Sequence, residues 1–65
     1  MAYFQDLPDE YKDKIVQGMM RSDHHQKRAR DMGIKKKHLH EYIDDYINCH
    51  NTETTVKSWV SAYCL

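Results

Sequence analysis

Sixty-five residues make one domain with a small core, only marginally stable alone, for which dimerisation or binding to a partner is a common remedy. Ten basic and ten acidic residues cancel to a formal net charge of zero, so the total alone points to no polyanionic partner. Two cysteines, Cys49 and Cys64, make no disulfide framework, and no apolar run reaches the roughly 20 residues of a membrane span. The opening MAYFQDLPDEYK is polar and acidic, unlike a secretory signal, so a cytoplasmic setting with reduced thiols is expected.

Met1 to Phe4 reads as a short lead-in, with Phe4 packing back on the core. Asp6 is suited to cap a first helix with Pro8 in its opening turn, where a missing N–H costs nothing. Asp9 and Glu10 complement the positive end of that helix. Leu7, Tyr11, Ile15 and Met19 step by four, with Val16 and Met20 beside them, which predicts an amphipathic stripe. Gly18 either permits a close helix crossing or weakens the last turn.

Ser22 or Asp23 is placed to cap a second helix over about 24–32, in which only Ala29 and Met32 are clear core candidates. Gly33 ends it. A third helix is expected from near Lys35 to about Asn48, with Leu39, Tyr42, Ile43, Tyr46 and Ile47 as its apolar stripe. A small residue, a glycine that tolerates positive φ, and a second helix with a basic outer face are what a helix-turn-helix requires. Arg28-Ala29-Arg30-Asp31-Met32-Gly33-Ile34, with Leu39 after it, resembles the helix-turn-helix of phage Cro-type repressors over residues 24–43. Arg28 departs from that pattern, and nothing after Ile43 reads as the terminal strands of Cro itself. The resemblance implies a phage or mobile-element origin and a role in transcription regulation.

Asn48 to Asn51 reads as a break. Asn51 or Thr52 is suited to cap a fourth helix from Thr52 to about Tyr63, with Val56, Trp59, Val60 and Tyr63 on its apolar side. The β-branched run Thr54 to Val56 offers a strand instead, but no partner strand is evident. The fold expected is all-α: one small four-helix domain over residues 1–65, with the helix-turn-helix at about 24–47.

Charge is segregated along this chain. Residues 24–40 carry a net +5, whereas residues 1–23 carry −2 and residues 41–65 carry −3. A basic block between acidic ends is the footprint of an anionic partner, or else a solvated helix face. His24, His25, His38 and His40 lie in the block and add charge as pH falls. On the DNA reading, Lys35 and Lys36 meet phosphates, Lys37 and His40 reach base edges, and Lys27, Arg28 and Arg30 grip the flanking backbone.

Other chemistries fit less well. His24, His25, His38, His40, Cys49 and His50 are numerous enough for zinc, but no CxxC or HxxxH spacing joins them, so no metal or other cofactor is expected. No nucleophile motif, glycine-rich phosphate loop or paired-carboxylate pattern is present, so no enzyme is expected. Tyr42, Tyr46, Trp59 and Tyr63 are more aromatic surface than so small a domain hides easily. Trp59 and Tyr63 on the fourth helix are therefore candidates for a protein interface, including a homodimer. The expected function is sequence-selective binding of double-stranded DNA; the alternative is a small inhibitor or adaptor that binds a host protein.

Overall fold

A computed structural model describes residues 3–64. The first two residues of the expected lead-in, Met1 and Ala2, lie outside them. Four helices follow one another: α1 (Asp9–Arg21), α2 (Asp23–Asp31), α3 (Leu39–Cys49) and α4 (Glu53–Tyr63), and no strand occurs among the described residues. The all-α, four-helix class expected from the periodicities is the one observed.

The helix α1 packs against each of the other three. Ile15 and Met19, four apart on its inner face, are fully buried, as the stripe predicts. The start of α1 differs from expectation. Phe4–Asp6 forms a separate 3-10 turn, and Pro8 stands outside the helix as its cap. Proline forces the residue before it out of the helical region, and Leu7 is extended at φ −78°, ψ 151°. A helix from Asp6 through Pro8 is therefore interrupted, and α1 begins only at Asp9. Phe4 does pack on the core. Its N–H donates to Asn51 Oδ1 at 2.9 Å, while Asn51 Nδ2 donates to Gln5 Oε1 at 2.6 Å. Asn51 thus ties the first turn to the α3–α4 corner instead of capping α4.

Ser22 alone separates α1 from α2, in extended conformation and with no side-chain capping bond. Gln26 Nε2 donates to the Met20 carbonyl at 2.9 Å, satisfying an acceptor that the end of α1 leaves free. Ala29 is buried, but the second buried residue of α2 is His25, and Met32 is 62% exposed. Met32 is the capping residue just past the end of α2. Ile34, two positions on, turns back and takes the core position expected of it.

In α3, Leu39, Tyr42, Ile43 and Ile47 are buried and Tyr46 half-buried, so the apolar stripe stands as expected. Thr52 Oγ1 accepts the Thr55 N–H at 3.2 Å and caps α4, which settles the helix-or-strand ambiguity at Thr54 to Val56. Val56 and Trp59 complete the core. Gly18 faces the Tyr63 ring so closely that a Cβ there would lie inside the ring's van der Waals envelope. The close-crossing role of Gly18 is the one the structure uses.

Alanine normally stabilises a helix interior over glycine by about 0.5–1 kcal/mol. Gly18→Ala is expected to do the reverse, lowering stability by about 1–3 kcal/mol through overpacking against Tyr63. Thermal unfolding of Gly18→Ala, alone and combined with Tyr63→Ala, checks this: the alanine at 18 should cease to destabilise once the ring is gone.

Candidate functional site

The basic block surrounds a backbone turn built by α2's end. Gly33 has φ +79°, the single positive φ among the described residues. Its N–H donates to the Arg30 carbonyl at 3.0 Å, and the Ile34 N–H reaches back to the Ala29 carbonyl at 2.9 Å. This pair of bonds is the Schellman closure, and it sets Ile34 over Ala29. Lys35 is then extended at ψ 151°, and Lys36–His38 forms a 3-10 turn. The α-helix proper starts at Leu39, four residues after the expected start near Lys35. Three lysines in a row bring no capping side chain and leave the first turn to be held by backbone bonds, His38 N–H to the Lys35 carbonyl at 2.8 Å and Leu39 N–H to the Lys36 carbonyl. Lys35, Lys36 and Lys37 are all exposed, as are Lys27, Arg28, Arg30 and His40.

The lysines outside this block each pair with a carboxylate on their own helix, whereas Arg21 pairs with none among the described residues. Lys12 pairs with Asp9 at 3.7 Å, Lys14 with Glu10 at 3.6 Å and Lys57 with Glu53 at 3.8 Å. Among the described residues, none of Lys27, Arg28, Arg30, Lys35, Lys36 and Lys37 makes an ion pair. The imidazoles do have carboxylate neighbours: His38 lies 3.5 Å from Glu41 and His40 lies 3.2 Å from Asp44.

The turn divides the basic side chains into two edges. Arg30, Lys35 and Lys36 border a small recess of about 200 Å³ that Ala29 and Leu39 also line. Lys27, three residues before Arg30 on α2, shares that flank. Arg28 and Lys37 instead border a groove of about 750 Å³ on the opposite side, and Lys35 belongs to both. The groove has Met32, Ile34, Tyr42 and Tyr46 as its apolar lining and the carboxylates of Glu41 and Asp45 among its bordering groups. Of the two aromatics expected at an interface, Trp59 is 7% exposed in the core, and Tyr63 is half-buried and covers Gly18.

Sequence reasoning missed the groove because it assigned Met32 to the core. A signal was present: His38, Glu41, Asp45 and Cys49 recur at steps of three and four on α3, tracing a second flank beside the buried stripe. Among the described residues, no three His, Cys, Asp or Glu side chains converge as metal ligands would.

His25 seats α2 on α3 beneath this region. It is 5% exposed, and its ring meets Tyr46 edge-on with centroids 4.6 Å apart. His25 Nδ1 and the Tyr42 hydroxyl are both buried without a hydrogen-bond partner among the described residues. Burial, followed by the nearby charges of His24, Arg28 and His50, pushes the His25 pKa below its ordinary value. The unfolded chain therefore takes up a proton near pH 6.5 that the folded chain refuses. Stability is expected to be full above about pH 6.5 and to fall as pH drops toward the lower folded value. Urea midpoints measured from about pH 8 down to about pH 5 should fall more for the natural chain than for His25→Phe, which has nothing to protonate at that position. Comparison of the chain with protein-family models, with curated proteins and with solved structures finds no match.

Proposed function

We propose that this protein binds double-stranded DNA sequence-selectively, as a small transcriptional regulator of phage or mobile-element origin. The observation that carries the reading is the unpaired basic edge: Lys27, Arg30, Lys35 and Lys36 stand exposed on one side of the Gly33 turn with no ion-pair partner among the described residues. Unpaired cations with room around them are suited to displace counterions from a phosphate backbone. The 3-10 turn carries Lys36 and the first turn of α3 carries His40, four residues later, where a recognition helix offers its first residues to a groove. Arg28 and Lys37 are the less favoured contacts, because Glu41 and Asp45 border the same groove and repel phosphate.

The neutral total charge favours a second reading, a small inhibitor or adaptor that presents the same edge to an acidic protein surface. Salt dependence on duplex DNA separates the two. Four phosphate contacts predict a slope of log affinity on log salt of about −3 to −4, and each contact removed should flatten it by about one. Lys27→Ala with Arg30→Ala and Lys36→Ala should therefore weaken binding at low salt by tenfold or more and flatten the slope. Arg28→Ala with Lys37→Ala should cost less. Fluorescence anisotropy at several salt concentrations checks both, and no binding to any duplex at low salt leaves the protein-binding reading.

A further inference from the structure

The groove beside the turn has a property that the recess lacks: it carries both signs of charge around one apolar lining. Arg28, Lys35 and Lys37 come from the end of α2 and the turn, and Glu41 and Asp45 from the exposed flank of α3. Between them lies Met32, 62% exposed and the one large hydrophobic side chain left open among the described residues.

An occupant must satisfy both sets of charges. A duplex or an acidic peptide would meet the cations and be repelled by the carboxylates, and a basic segment would suffer the reverse. An uncharged apolar ligand would cover Met32 but partly desolvate the bordering charges and offer them no partner, which is costly. A second copy of the chain meets every requirement. With a twofold axis running between the cationic and the acidic borders, the cations of one copy face the carboxylates of the other and the same contact recurs across the axis.

We propose that this groove is a self-association face, on which two copies meet about a twofold axis with their Met32 side chains covered and their cationic and acidic borders opposed. Thirteen residues line the groove, fewer than the roughly 20–30 per side of a stable complex. Association over so small a patch is weak and concentration-dependent. Lys27, Arg30 and Lys36 lie outside the groove and stay uncovered, so the proposal does not rest on DNA binding and its test contains no DNA.

Sedimentation equilibrium from about ten micromolar to about one millimolar should show the mass rising from 7.8 kDa toward twice that value. Two charge reversals, Lys35→Glu with Lys37→Glu and Glu41→Lys with Asp45→Lys, should each raise the dissociation constant at least tenfold. Mixed in equal amounts, they should associate again, because each then supplies the charge the other lacks. Met32→Ser should weaken association severalfold. All five positions are exposed, so circular dichroism should report an unchanged fold. If a reversal does unfold the chain, Lys37→Gln and Asp45→Asn test the same borders by removing charge. A monomer mass throughout the range overturns the proposal. So do folded border variants that associate like the natural chain, a mixture that fails to recover, or a Met32→Ser variant that associates unchanged.

Discussion

A backbone held at φ +79° accommodates glycine freely and costs a residue with a Cβ about 1–2 kcal/mol. The molecule places Gly33 there, and the rest of the basic region follows from it. The reversed chain brings the Ile34 N–H to the Ala29 carbonyl, drops Ile34 onto the core and leaves Met32 outside. The lysines then emerge from extended and 3-10 backbone, where successive side chains diverge. That divergence is why one run of three lysines serves two edges, with Lys36 at the recess, Lys37 at the groove and Lys35 at both.

Much of the fold was legible because its core is periodic. Ile15 and Met19, Leu39, Ile43 and Ile47, and Val56 and Trp59 recur at helical spacing, and each set is buried. Thr52 was readable as a cap because a hydroxyl before an apolar run satisfies a free N–H at little cost. The errors fall where one local rule met another. Pro8 suits an opening turn, yet its constraint on Leu7 breaks the chain before it. Met32 has the chemistry of a core residue, but it stands just past the helix end, and the following glycine gives its place to Ile34. His25 looked like part of a charged surface, and only the packing of α2 on α3 turns it inward.

The candidate site was legible in its composition and not in its shape. A +5 segment is plain to read, but which side of a turn each base takes depends on backbone that propensities do not specify. The same holds for the carboxylates. Glu41 and Asp45 appear in the sequence as acids trailing a basic run, whereas in the fold they border the groove that Lys37 also borders. Neutrality of the whole chain thus conceals two surfaces of different character. One is cationic without compensation, and the other is mixed and apolar at its centre.

The Gly33 turn is closed by main-chain bonds alone. No side chain of Lys35, Lys36 or Lys37 makes a hydrogen bond or an ion pair within the described chain, and all three are exposed. Residues 35–37 therefore behave as an interchangeable cassette: their identities can drift, diversify or be replaced by design with little effect on the scaffold beneath. A lineage built on this frame could acquire new binding preferences by editing three codons while its hydrophobic interior stayed the same.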